Sequence, residues 1–318
     1  MKTLDAFEYP EELVPVYRKA RRLEWITAAY ILSAATLVYL TMGNSQAMKT
    51  AWFEDLLSLT PSVSFLIASR LALKKPNGEF PYGYHRAVSI AYLCSAVALF
   101  AVGGFLLVDS AITLLKAEHP TIGTVVLFGK QVWLGYLMMG AMLWSTFPSL
   151  YLGLKKLPLA EQLHDKNLHT DAEMNKADWM TAVAAIFGVA GIGLGWWWAD
   201  AAAAAIISLD IVHDGYTNLK QAVSDLMNQV PKTVDEQKPE PLIGRVQDTV
   251  RKPAWVREST IRLREEGHVY FGEGFVVCGD GADLAGKLED LCREVEGLDW
   301  RIREFVITPV RQLPDGEQ

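Results

Sequence analysis

The sequence predicts an α-helical membrane protein with six transmembrane helices and a small C-terminal α+β domain. Three observations carry that prediction. Of 318 residues, 51% are hydrophobic and only 21% charged, against roughly 25% charged in soluble domains; mean hydropathy is +0.14. Five stretches contain no Lys, Arg, Asp or Glu: Trp25–Met48, Leu56–Ser69, Ala87–Val108, Gln131–Leu154 and Trp179–Ala199. A spanning helix needs about 20 mostly apolar residues, and four of the five are that long. Beyond Val230 the composition turns polar, and short β-branched runs alternate with amphipathic stretches. The net charge of −7 argues against a nucleic-acid partner. Cys94, Cys278 and Cys292 form no CxxC pair, so neither a zinc knuckle nor a disulfide framework is expected. Burial is the simplest expectation for all three.

Residues 1–24 read as a polar, amphipathic cytoplasmic segment. They lack the short apolar core and small-residue cleavage site of a secretory leader, so the first span is expected to act as its own targeting signal. The membrane domain, 25–228, is read as spans at about 25–43, 49–73, 87–115, 127–154, 171–196 and 200–226. The second opens with Lys49, Glu54 and Asp55, and the sixth carries Asp210, His213 and Asp214. Carboxylates inside a span are expensive and normally face a bundle interior or water. Four apolar helices and two that line something are the expected arrangement. Residues 229–239 read as a linker, and 240–318 as a cytoplasmic domain of α-β-β-α-β order. Its pieces are PLIGRVQDTVRK, STIRLR, VYFGEGFVVC, ADLAGKLEDLCREVEGL and RIREFVITPV. Helices are expected on one sheet face. So small a unit favours pairing with a second copy.

Lys and Arg concentrate in the N-terminal segment and in the second-to-third and fourth-to-fifth connections, 13 residues against three on the other side. Lys155 and Lys156 are counted there as loop residues. The bias places both termini in the cytoplasm, in an inner or plasma membrane. Trp196, Trp197 and Trp198 suit the outer interface.

Candidate chemistry lies in spans two, five and six. Glu54 and Ser58 are four apart and share a helix face, with Asp55 rotated by roughly 100°. Asp171, Met174, Asn175 and Asp178 share a face of the fifth span, and Thr181 extends it. Asp210 lies roughly 20 Å below the outer end of the sixth span, at a depth similar to that of Ser58. Pooled carboxylate, hydroxyl and amide oxygens suit hard or borderline divalent cations, and close carboxylates suit proton exchange. His164 and His169, with Asp165 and Asp171, read as a solvated loop at the cytoplasmic approach to the fifth span.

The run RLALKKPNGEFPYGYHR, from Arg70 to Arg86, resembles the loop after the second helix of the cation diffusion facilitator family. LHTDAEMNKADWMTAVAAIFGVAG is similar to that family's fifth helix, and WWWADAAAAAIISLDIVHDGYTNLKQAVSDLMNQVP to its sixth helix and exit. The resemblance implies a secondary transporter that exports a divalent metal of the zinc, iron or manganese class in exchange for protons. It implies a ferredoxin- or metallochaperone-like cytoplasmic domain and a homodimer formed through it. The metal is substrate; no cofactor and no enzymatic activity are expected. The family's four transport ligands fall on Glu54, Ser58, Met174 and Asp178, so two usual ligands are replaced. Glu54 and Asp178 are the leading metal ligands, with Ser58, Met174, Asp55, Asn175 and Asp210 around them. The replacements leave a second reading open: a transport-incompetent homologue that scaffolds or regulates an active transporter. The C-terminal domain offers only His268 and two separated cysteines, so weak metal binding is expected there.

Overall fold

The computed structural model describes residues 7–235, 238–279 and 283–314. Six long helices are followed by the small domain. They are α1 (Val14–Thr41), α2 (Gln46–Ala72), α3 (Arg86–Leu115), α4 (Leu134–Leu163), α5 (Lys166–Gly193) and α6 (Ala199–Leu226). Three of them, α1, α3 and α4, are long and apolar enough to cross a membrane by length and composition. Helices α2, α5 and α6 carry the candidate acids. The expected fourth apolar helix, α5, is diluted because it begins at Lys166 and brings Asp171, Glu173, Lys176 and Asp178 into its first half. Its N-terminus is fixed by Asp165, whose carboxylate accepts from the Leu168 N–H at 3.0 Å.

Helix α4 runs on to Leu163 and α5 begins at Lys166, both beyond their expected bounds, and two further boundaries differ for local physical reasons. Helix α1 starts at Val14, with Pro15 in its first turn, where the missing N–H costs nothing. Its early turns bury Tyr17, Ala20 and Glu24. The residues expected to open the fourth span instead form a hairpin, β1 (Thr124–Leu127) and β2 (Lys130–Trp133). Phe128 and Gly129 turn it with φ of +51° and +77°, the left-handed geometry that two-residue hairpins require. The cysteines are also less enclosed than expected: Cys94 is exposed on α3, and Cys278 and Cys292 are half-buried.

Helix pairs approach closely where side chains vanish. A Cβ on Gly215 of α6 would lie 2.5 Å from the backbone nitrogen of Phe100 on α3. At the far end of the bundle the Asp200 carboxylate of α6 accepts from Ser45 Oγ at 2.6 Å and from the Gln46 and Ala47 N–H groups. It thereby satisfies the first donors of α2, which a helix cannot satisfy itself.

The C-terminal domain consists of α7 (Leu242–Arg251), β3 (Val256–Glu266), β4 (Val269–Cys278), α8 (Leu284–Glu296) and β5 (Ile302–Val310), in the expected order. β4 is central, antiparallel to β3 and parallel to β5. Val246 and Val250 of α7 and Leu291 and Val295 of α8 share one core with Tyr270, Val276 and Ile302 of the strands.

The β3–β4 hairpin tip docks on the helical bundle. Val269 and Phe271 join a cluster with Tyr17, Phe65, Leu163 and Leu168 from four helices, closed over by Phe7 and Tyr9. Gly267, with φ of +71°, turns the tip so tightly against α3 that a Cβ would meet the His85 carbonyl oxygen at 2.8 Å. Arg86–Glu266 and Lys166–Glu265 ion pairs, each 3.0 Å, flank it. His164, between α4 and α5, lies between Arg301 and Tyr270. The guanidinium can only donate, so His164 Nδ1 accepts from Arg301 at 3.0 Å. The ring is then neutral, and its Nε2–H donates to the Tyr270 hydroxyl at 2.6 Å.

Burial, with the Arg301 and Lys166 charges, lowers His164 to about 3. Burial and neighbouring His85 lower His268 to about 3. Burial and Arg303 lower His85 to about 4, against an opposing pull from Glu266. Neither ring nitrogen of His268 has a hydrogen-bond partner; the ring packs among Phe7, Tyr9, Trp300 and His85.

Two outcomes follow from this packing. Gly215→Val should separate α3 from α6 and destabilise the protein by about 1–3 kcal/mol, read as a lower thermal midpoint in detergent. The three histidines have folded values below their ordinary 6.5. Their contribution is therefore complete above about pH 6.5 and is lost as pH falls towards about 4. Hydrogen exchange at the β3–β4 tip should accelerate between pH 7 and 4.5. His268→Phe should reduce that acid sensitivity, and an unchanged pH profile would contradict the account.

Candidate functional site

The candidate ligands sit where α2, α4, α5 and α6 meet. Ser58 and Asn175 are buried, while Glu54, Asp55, Met174, Asp178 and Asp210 are half-buried. Thr181, one turn beyond Asp178 on α5, donates to Glu54 Oε1 at 2.8 Å. Glu54 Oε2 has no partner, which leaves an acceptor aimed into a polar interior.

The Asp178 carboxylate contacts the Ser149 hydroxyl of α4. Ser149 Oγ is also 2.8 Å from Asn175 Oδ1. A hydroxyl has one proton, so it serves one of these acceptors at a time. Asp55 turns towards α4 and accepts from Ser145 Oγ at 2.9 Å, leaving Oδ2 without a partner. Asn175 is committed within the protein: its Nδ2 donates to the Asp171 carbonyl at 2.8 Å and carboxylate at 3.0 Å.

Two clefts flank this acid layer. One, about 390 Å³, is lined by Thr181, Ala184, Ile207, Asp210 and His213. The other, about 310 Å³, is lined by Lys166, His169, Met174, Asp214 and Asn218 and bounded by Asp235 of the linker. Thr181 and Met174 are seven residues apart on α5, roughly 10 Å, and Asp178 lies between them. The structure thus gathers Glu54 and Asp178 in the layer. It places Asp210 in one cleft, Met174 in the other, and Asp55 on the α4 side. Among the described residues, no three His, Cys, Asp or Glu side chains converge closely enough to hold a metal ion.

Sequence reasoning passed over Ser145 and Ser149, whose hydroxyls hold Asp55 and Asp178. It also counted Lys156 as a loop residue. Lys156 lies fully buried in α4, 3.1 Å from Glu24 and in contact with Asp171. The only signal was the placement of an acid, Glu24, at the edge of an apolar span.

Long helices that turn carboxylates and hydroxyls inward, with a small α+β domain at one end, define a helical membrane protein with acids in its interior. The chain belongs to the cation diffusion facilitator family: the family's cation efflux transmembrane domain matches residues 25–227. It is 26% identical over 216 residues to protein p34 of Rickettsia rickettsii, covering 67% of this chain and 66% of that protein. It is 25% identical over 201 residues to the manganese efflux system protein MneS of Bacillus subtilis, covering 63% and 65%. A third match, 27% over 122 residues, covers 38% of this chain and 28% of the mouse "Probable proton-coupled zinc antiporter SLC30A4". The chain therefore spans about two thirds of the length of the first two.

Thr181→Val keeps the shape of the residue but removes the hydroxyl that steadies Glu54. Any divalent cation held by Glu54 should then bind about tenfold more weakly, the usual effect of losing a group that orients a ligand. Isothermal titration of the purified protein checks this.

Proposed function

We propose that this protein is a secondary transporter that exports a divalent metal cation from the cytoplasm in exchange for protons. The substrate binds between α2 and α5, with Glu54 and Asp178 as its charged ligands. The observation that carries this reading is the pair of acids on facing helices, between two clefts, with one Glu54 oxygen left without a partner. Ser58 and Met174 supply the neighbouring weak donors. Asp210, which lines one of the clefts, and Asp55, on the α4 side, act as outer anions that draw the cation in.

The donors are oxygens except for the Met174 thioether, with no imidazole or thiolate among them. Carboxylate and hydroxyl oxygens suit manganese(II) better than they suit zinc, which favours imidazole and thiolate. A manganese efflux system protein and a protein named as a probable proton-coupled zinc antiporter both stand among the relatives, so manganese leads within the class and iron and zinc follow. Six spans, cytoplasmic termini and a homodimer formed through the C-terminal domain complete the reading. The bias of Lys and Arg towards one side supports the orientation even after Lys156 is withdrawn from the count.

One observation favours a second reading, a transport-incompetent scaffold: no three strong ligands converge among the described residues. Proteoliposomes decide between the two. Mn(II) uptake driven by a pH gradient supports transport, and its absence at every metal tested supports the scaffold.

Asp178→Asn should abolish that uptake with the dimer still folded. Two carboxylates are about the fewest that can neutralise a divalent ion in a low-dielectric site. Glu54→Gln should do nearly as much, and Ser58→Asp should tighten Mn(II) binding. Wild-type uptake by Asp178→Asn would move the site elsewhere, with Asp55 and Asp210 next to be tested.

A further inference from the structure

Three charged side chains that the proposed transport chemistry does not use lie deep in the bundle. Glu24 of α1, Lys156 of α4 and Asp171 of α5 are 0%, 0% and 1% exposed. Lys156 Nζ is 3.1 Å from Glu24 Oε1 and bonded to Asp171 Oδ2. From α2, Ser62 Oγ donates to Asp171 Oδ1 at 2.8 Å. Four helices therefore meet at one buried ion cluster.

The cluster is wired to the transport site with a defined polarity. Beside an ammonium, Asp171 is ionised and can only accept. Asn175 must therefore present its NH₂ end, and Nδ2 donates to Asp171 Oδ2 at 3.0 Å. The amide cannot flip, so Oδ1 is held on the opposite side, 2.8 Å from Ser149 Oγ. Ser149 in turn contacts Asp178. A single chain of contacts runs Lys156–Asp171–Asn175–Ser149–Asp178: the ammonium fixes Asp171 as an acceptor and Asp171 fixes the Asn175 amide, while the one Ser149 proton serves either Asn175 Oδ1 or Asp178.

We propose that Lys156, Asp171, Asn175 and Ser149 are positioning residues for the Asp178 carboxylate. Glu24 Oε1 lies 3.1 Å from the ammonium but outside the chain. The inference rests on the reading of Asp178 as a ligand of the transported cation.

A matched pair of variants separates positioning from bulk stability. Glu24→Gln and Asp171→Asn are both isosteric, and each leaves one carboxylate facing one ammonium. Only Asp171→Asn removes the charged acceptor beside the Asn175 amide, leaving the Asp171 main-chain carbonyl as its remaining partner. Mn(II) binding is measured by calorimetry on the full-length protein in detergent, with elution profile and thermal midpoint recorded. Asp171→Asn should weaken Mn(II) by about tenfold or more, the range seen when groups behind metal ligands are lost. Glu24→Gln should bind close to wild type. In proteoliposomes the Asp171→Asn defect should appear in the Mn(II) concentration for half-maximal uptake more than in the maximal rate. Ser149→Ala, a small change tolerable in a helix, should weaken Mn(II) in the same direction, and it decides the matter if Asp171→Asn does not fold.

Equal effects from Glu24→Gln and Asp171→Asn, or wild-type affinity in both Asp171→Asn and Ser149→Ala, would overturn the proposal. Asp178→Asn run alongside distinguishes the failures. If it abolishes binding while Asp171→Asn and Ser149→Ala bind as wild type, positioning alone is wrong. If it binds as wild type, the transport site itself is misplaced and the positioning role falls with it.

Discussion

Charge taken out of water has to be answered by charge or by hydrogen bonds, and in this bundle the answer starts at Lys156. An isolated buried ammonium costs several kcal/mol, and Glu24 and Asp171 approach it from two other helices. Ser62 then ties α2 to Asp171. The packing of α1, α2, α4 and α5 at this end is thus set by an ion cluster as well as by apolar contact. Removing one partner would strand the others, so the cluster constrains the helices more sharply than greasy surfaces alone would. The acid layer above it inherits that rigidity through Asn175 and Ser149.

The same requirement explains why the polar half of the bundle is built from hydroxyls. Ser145, Ser149 and Thr181 each face a carboxylate that has no cation beside it. A hydroxyl offers one hydrogen bond without neutralising the charge. It steadies an acid while leaving its affinity for a passing cation in place. Lysine in the same position would have satisfied the acid permanently.

Much of this architecture was legible in the residues. The alternation in 240–310 yielded the α-β-β-α-β order because small domains read their pattern locally. Acids inside otherwise apolar spans announced α2 and α6, whereas α5 reads as apolar in sequence although Asp171 and Asp178 share one of its faces. The hydroxyls were not legible, since a Ser or Thr in a helix more often bonds back to a carbonyl four residues earlier, as Thr146 does with Met142. The ion cluster was hidden by distance along the chain: Lys156 looks like its neighbour Lys155, and nothing local distinguishes a loop lysine from one that meets Glu24. The early start of α1 was masked in the same way, because its first turns are buried by partners from α2, α4 and the C-terminal domain.

The docked hairpin tip touches two parts of the bundle at once, with Glu266 on Arg86 at the head of α3 and Glu265 on Lys166 at the head of α5. Helix α3 is packed backbone-close on α6 at Gly215. A displacement of α5 relative to the α3–α6 pair would therefore stretch one end of a two-point fastening whose other end is held. By thermodynamic reciprocity, whatever free energy such a displacement takes from the fastening, release of the fastening returns to the displacement. The β3–β4 hairpin is in that sense a strain gauge, and its occupancy of the socket reads out the relative position of the helices that carry the acids.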